Sequence, residues 1–296
     1  MHRSCLIVGC GYTGMRLARR LQPRWQVSAT ARSDGAAARL DAAGIAVVRA
    51  DLDIALPPGT LSTAADGAAI AYLAPPPDSG TTDPRLENFL VALGPARPAV
   101  LLYMSTTGVY GDTRGATVTE ESPLAPTNDR SRRRLAAERV AQEWCAARGV
   151  RCVVLRVPGI YGPGRLPLER LGSGEPALRA ADSGPGNRIH VDDLVTASVA
   201  ALERPVDGAF NITDGNPATT TEFLQRTAAI AGLPAPELVA LADAPGRISA
   251  GMLAFLRESR LVDNRRMRVV LGVEPRYANL DEGIAASLAA TAETSD

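Results

Sequence analysis

Ser4-Cys5-Leu6-Ile7-Val8-Gly9-Cys10-Gly11-Tyr12-Thr13-Gly14 is the stretch from which the rest of the chain can be read. An apolar, β-branched run ends abruptly in three glycines at G-x-G-x-x-G spacing, and helix formers follow over residues 15–21. That is the pattern of a strand, a tight turn and a helix. The three glycines serve different ends: Gly9 permits the turn, Gly11 lets the backbone approach a pyrophosphate, and Gly14 lets the helix pack against the strand. The anion then rests on free backbone N–H groups at the helix N-terminus. The stretch predicts a dinucleotide site, with Gly9, Gly11, Tyr12, Thr13 and Gly14 as cofactor-binding residues.

Further along, strands and helices alternate. Residues 25–30, 45–48, 69–73, 99–104, 150–157 and 209–212 read as strands; 34–43, 84–94, 129–147, 192–202 and 220–231 read as helices. Pro75-Pro76-Pro77 ends the fourth strand, because proline cannot continue a ladder. Near-continuous apolar strands separated by helices imply a parallel sheet covered on both faces. The expected class is α/β, a Rossmann-type doubly wound parallel sheet with a small C-terminal α/β substrate lobe. Residues 1–160 form the dinucleotide-binding domain in this reading. Residues 161–296 are mixed, with the lobe mainly in 163–187 and 211–280, and 188–210 returning to the first domain. Residues 163–187, rich in Gly, Pro and Arg, read as a long loop with a short helix. Thr219 or Thr220 suits a helix cap with Glu222 nearby, and residues after Ala290 read as a frayed tail.

Composition narrows the class. With 296 residues, 46% of them hydrophobic, the chain can bury a full core. Its 32 basic and 32 acidic residues cancel, which argues against a nucleic-acid or membrane partner. All 32 of those basic residues are arginine, for the sequence contains no lysine. The four cysteines, Cys5, Cys10, Cys145 and Cys152, form no C-x-x-C pair and read as buried or incidental thiols in a reducing cytoplasm; no metal site is expected. No run is long and apolar enough for a bilayer span, and the run before the glycines is too short for a signal peptide. The expected location is cytoplasmic.

At the tip of the second strand stands Thr30-Ala31-Arg32-Ser33-Asp34. A carboxylate there accepts the ribose hydroxyls of NAD, whereas an arginine suits the 2′-phosphate of NADP. Arg32 with Ser33 favours NADP, and Asp34, two residues on, keeps NAD open.

Four further stretches, in order, resemble the extended short-chain dehydrogenase/reductase superfamily of epimerases and dehydratases. They are Asp51-Leu52, the run from Met104 through Thr106 to Gly111, RVPGIYGPG from Arg156 to Gly164, and RIHVDDLV from Arg188 to Val195, followed by Asn211-Ile212-Thr213. The resemblance implies that Asp51 and Leu52 cradle the adenine, that Leu73, Ala74, Pro75 and Ser105 also line the cofactor, and that Thr106 is the catalytic Ser/Thr. Thr107, Tyr110 and Tyr161 are implied substrate contacts. His190 is expected to fix its loop by hydrogen bonding. Members also pair helices across a dimer interface, which makes a homodimer possible.

One motif departs from the family. Where members carry Y-x-x-x-K, this chain has Arg130-Ser131-Arg132-Arg133-Arg134 before Leu135-Ala136-Ala137-Glu138, so Arg130 stands at the tyrosine position and Arg134 at the lysine position. Arginine stays protonated and cannot act as general base. It can bind a carboxylate or phosphate through a fork of hydrogen bonds, or stabilise an oxyanion. Residues four apart share a helix face, so Arg130 and Arg134 are expected to face the cleft as catalytic residues, with Arg132 and Arg133 in water. The other reading is a solvated basic face. The expectation is an NAD(P)-binding oxidoreductase or epimerase/dehydratase-like enzyme acting at a carbinol or carbonyl carbon of an anionic or sugar-like small molecule. The alternative is a non-catalytic NADP(H)-binding sensor or regulatory protein.

Overall fold

The computed structural model describes residues 3–292. Seven parallel strands form its central sheet: β1 (Arg3–Val8), β2 (Trp25–Ala31), β3 (Ala46–Arg49), β4 (Ala69–Tyr72), β5 (Val100–Thr106), β6 (Arg151–Val157) and β7 (Gly208–Asn211). Their order is β7-β6-β5-β4-β1-β2-β3. The chain moves outward from β1 to β3, then returns to β4 on the other side of β1. The switch point therefore lies between β1 and β4, where a doubly wound sheet opens a crevice at its carboxyl edge.

The alternating faces of each strand feed two cores. In β1, Cys5 and Ile7 enter one core with Leu17 and Leu21 of helix α1 (Tyr12–Leu21) and Leu40 of α2 (Asp34–Ala42). Leu6 and Val8 enter the other with Phe89 of α3 (Pro84–Leu93) and Ala141 of α4 (Asp129–Ala146). A period of two on a strand buried on both faces gives an unbroken apolar run. Helix α5 (Val191–Glu203) places Leu194 and Ala197 in the first core, beside α1.

Outside the sheet the structure is built from short pieces. Gly159–Tyr161 pairs in parallel with Arg188–His190, Ala177–Leu178 with Leu238–Val239, and Thr117–Val118 with Leu261–Val262. Helix α6 (Thr220–Ala231) opens with a capping box in which Thr219 accepts from the Glu222 N–H and the Glu222 carboxylate accepts from the Thr219 N–H. Helix α7 (Leu280–Ala292) buries Leu280 and Ile284 against Tyr161. The expected frayed tail is thus helical at 291–292, held by this packing, and 293–296 lie outside the described residues. The two-residue strands are too short to show a period, whereas α7 repeats Leu280, Ile284 and Leu288 at helical spacing, a signal in the sequence that the reading above does not use. Among the described residues, no helix is long and apolar enough to cross a membrane.

Candidate active site

The glycine turn sits at the switch point. Leu73 N–H donates to Val8 O at 2.7 Å, extending the β1–β4 pairing past the strand and laying Ala74 against Gly9. A Cβ on Gly9 would come within 2.5 Å of Ala74 N, and its φ is +86°. On Gly14 it would stand 3.0 Å from Gly9 O, whereas Gly11 has nothing within 4 Å. Helix α1 begins after Gly11 with no side-chain cap and no acidic residue in its first turn. Its N–H groups and dipole are left for an anion, and the open space at Gly11 is where backbone and pyrophosphate must approach. These residues fit a dinucleotide.

Tyr12 joins this turn to the RVPGIYGPG segment. Its hydroxyl donates to Pro163 O at 3.0 Å, and the Arg16 and Arg165 guanidinium carbons lie 4.0 and 4.3 Å from its ring centroid. A side chain on Gly162 would strike the Tyr12 hydroxyl. Thr13 is buried in the same helix turn.

At the tip of β2, Ser33 Oγ caps α2 by accepting from Ala36 N–H at 3.3 Å. Arg32 forms an ion pair with Asp53. Asp34, whose side chain is 99% exposed, pairs instead with Arg49 at 2.7 Å. Asp51 Oδ1 accepts from Asp53 N–H at 3.0 Å, Leu52 O accepts from Asn88, and Pro75 O from Arg85 at 3.0 Å. The loops after β2, β3 and β4 are therefore brought together along one edge of the crevice.

At the end of β5, Thr106 Oγ1 accepts from Gly108 N–H at 3.2 Å and caps a short turn, Thr107–Tyr110. Helix α4 abuts this turn. Its Asn128 cap accepts from Ser131 N–H at 2.9 Å, and Ser131 fills the notch at Gly108, where a Cβ would lie 2.5 Å from its hydroxyl. Arg130, the neighbour of Ser131, is exposed and has no side-chain partner among the described residues. Arg134 is half-buried and points inward, donating to Met104 O at 2.8 Å and reaching Tyr103 Oη at 3.4 Å. The two arginines at the Tyr and Lys positions thus part company. Arg133, expected in water, is only 7% exposed and donates to Gly80 O at 2.7 Å, because its helix position faces the loop that follows β4.

Below Thr106 lies a buried polar network. Ser105 donates to Glu138, whose carboxylate pairs with Arg156 at 2.9 Å; Arg156 Nη1 donates to Tyr110 Oη at 3.0 Å, and Tyr110 donates to Asn211 Oδ1 at 2.8 Å. Tyr110 is 2% exposed, and burial pushes its hydroxyl up against the opposing pull of Arg156. Ser105 and Tyr110 are spent on this network, and Thr107 is 4% exposed. Tyr161 is equally buried, edge-on to His190 and Phe223, and without a hydrogen-bond partner for its hydroxyl among the described residues. Burial raises that hydroxyl above its ordinary value. The structure places Tyr110 and Tyr161 as packing and network residues, not as surfaces open to a substrate. His190 Nδ1 accepts from Asp192 N–H at 3.2 Å as the cap of α5, and its Nε2 lies 3.2 Å from Ser287 Oγ. Arg85 and Asp53 are parts of the crevice that sequence reasoning misses; the one signal is the Asp83-Pro84-Arg85 start of a helix, which places Arg85 in its first turn.

A doubly wound parallel sheet with a glycine turn at its switch point defines a dinucleotide-binding protein. The family model described as the NAD dependent epimerase/dehydratase family matches residues 5–213, and the chain belongs to that family. A curated relative, 3-diazoavenalumate denitrifying reductase from a Streptomyces species, is 32% identical over 138 residues, covering 45% of each chain. The chain spans about half the length of the curated relatives it first matches. A solved structure of a functionally unknown conserved protein from Silicibacter pomeroyi is 30% identical, with a TM-score of 0.81 over 97% of this chain and 99% of the other. UDP-glucuronic acid 4-epimerase from Bacillus cereus, solved with NAD, shares the fold at a TM-score of 0.75 over 99% and 100% of the two chains, with 16% identity.

Proposed function

We propose that this protein binds NADP(H) in preference to NAD(H) and acts as an oxidoreductase or epimerase/dehydratase-like enzyme on an anionic small molecule. The observation that carries the reading is the pairing of a ready pyrophosphate cradle at Gly9 to Gly14 with Thr106 at the tip of β5, one strand beyond β4 on the same carboxyl edge. When bound, the nicotinamide supplies or accepts a hydride at a carbinol or carbonyl carbon. Thr106 Oγ1 accepts from the Gly108 N–H, so its own proton is free to hydrogen-bond the reacting oxygen. Arg130 is a cation in the first turn of α4 with no internal partner among the described residues, suited to hold a carboxylate or phosphate or to polarise the oxygen. It does not take the tyrosine's place as a base.

Arg32 at the β2 tip favours the 2′-phosphate, while Asp34 is turned away to Arg49. With the domains divided near residue 160, the substrate would lie between the sheet and the lobe of 163–187 and 211–280. A cytoplasmic homodimer would join through α3 and α4, where Val91 is 52% exposed beside Trp144. A second reading, a non-catalytic NADP(H) sensor, is favoured by Arg134 being occupied inside the fold.

Calorimetric titration with NADPH and NADH tests the coenzyme half, and absence of binding overturns it. Turnover screening of wild type and Arg130→Ala tests the other half. An enzyme loses turnover in the variant while keeping cofactor affinity; a sensor shows cofactor binding and no turnover with any substrate.

A further inference from the structure

The loops after β2, β3 and β4 are tied together through one carboxylate. Asp53 accepts from Arg32 through one oxygen and from Arg85 through the other. Arg85 also holds Pro75 O at 3.0 Å, and Asn88, on the same helix, holds Leu52 O at 3.0 Å. The side chains of Arg32, Asp53 and Arg85 are 63%, 35% and 25% exposed. Arg85 is therefore the better-anchored of the two cations, and Arg32 the freer.

Two guanidinium groups on one carboxylate leave one positive charge in excess, at the edge where the ribose of a dinucleotide's adenosine would lie. Each fork carries five N–H donors, and a single carboxylate cannot use them all. A phosphate offers more oxygens and more charge than the carboxylate it would replace, and two of its oxygens match the spacing of a guanidinium's paired N–H donors. As ordinary surface ion pairs these contacts would be worth little to stability.

We infer that Arg85 is a second phosphate-binding arm beside Arg32, and that Asp53 is an internal counter-ion which the 2′-phosphate of NADP displaces. The preference for a phosphorylated ribose is then set by three residues from three loops. Asp53 holds both cations in place when no phosphate is present and opposes its binding electrostatically. This inference rests on the NADP reading above.

The test is the ratio of NADPH to NADH affinity, measured by titration of the full chain for wild type, Arg32→Ala, Arg85→Ala, Arg85→Lys and Asp53→Asn. Arg85→Ala is expected to weaken NADPH about 10- to 100-fold, the loss of charge-assisted hydrogen bonds to the phosphate, and to leave NADH nearly unchanged. Arg85→Lys keeps the charge and can keep the Pro75 bond but loses the fork, so it gives a smaller loss in the same direction and serves if the alanine variant does not fold. Asp53→Asn is expected to raise the ratio. An Arg85→Ala variant that weakens both coenzymes equally, or neither, overturns the second arm; an unchanged ratio in Asp53→Asn overturns the counter-ion. A wild type that prefers NADH overturns the coenzyme reading and this inference with it. If wild type prefers NADPH and only Arg32→Ala loses the preference, this inference alone falls.

Discussion

Arg134 Nη1 lies 2.8 Å from the carbonyl oxygen of Met104 and 3.4 Å from Tyr103 Oη. The guanidinium at the family's lysine position is thereby built into the end of β5. Burial pushes the Tyr103 hydroxyl up to about 12, against the lowering pull of this same guanidinium. Arg134→Ala leaves the buried Met104 carbonyl without that donor, and is expected to cost about 1–3 kcal/mol of unfolding free energy in urea titration. NADPH affinity should change little. A variant of undiminished stability that has lost coenzyme affinity would show that Arg134 serves the ribose instead.

Glu138 and Arg156 form an ion pair whose side chains are 1% and 5% exposed. Ser105 and Tyr110 satisfy further atoms of the pair, so the charges are both neutralised and hydrogen-bonded. Removing one partner leaves the other charge buried and uncompensated. Glu138→Ala or Arg156→Ala is expected to destabilise by about 3–5 kcal/mol, with the double variant costing clearly less than the sum of the two. Additive losses in denaturant titration would show that the two residues act separately.

The sheet is legible in the sequence because its central strands β1, β4 and β5 are largely apolar, β2 alternates apolar with polar residues, and its turns carry glycine or proline at the required places. The same holds for Gly9, whose need for glycine is set by local backbone geometry. Arg133 and Arg134 are not legible in this way. Spacing puts Arg134 on the face of Arg130, but which way a long guanidinium turns depends on whether a carbonyl such as Met104 O lies within reach, and that is tertiary information. Tyr110 and Tyr161 sit in motifs that border the crevice, yet each is claimed by residues distant in the chain: Tyr110 by Arg156 and Asn211, Tyr161 by Gly283 and Ile284. Asp53 and Arg85 meet only because β3 and β4 end at the same edge of the sheet.

Gly9→Ala tests the cradle. The added methyl meets the backbone of Ala74, which cannot rotate away as a side chain would, and the φ of +86° is itself unfavourable to alanine. The β1–β4 edge must separate to accept it. The variant is expected to lose stability by more than about 1 kcal/mol and to lose NADPH binding in titration. A soluble Gly9→Ala protein with wild-type affinity would remove the switch-point turn from the site. Gly11→Ala is a useful partner to it, because nothing lies within 4 Å of the new methyl: its stability should hold while binding falls.

Asp214 supplies the pH dependence most open to measurement. It is 4% exposed, and burial pushes its carboxyl up to about 7, opposed by the Asn216 N–H bond and by Arg188. The neutral carboxyl is thus the form the fold favours. Asp214 contributes stability that is fully present below its unfolded value of about 4 and is lost as pH rises through about 7. His190 runs the other way: burial lowers it, so it contributes stability at higher pH that fades as pH falls through its folded value. The whole-protein curve mixes these two with other shifted carboxyls, the buried Asp83 among them, and the variant isolates Asp214. Asp214→Asn removes only the first, so the stability of wild type relative to the variant should decline between about pH 4.5 and 7.5 by an amount on the order of a few kcal/mol. Urea titrations of both proteins across that range give the difference directly, and parallel curves would mean that Asp214 keeps its charge when buried.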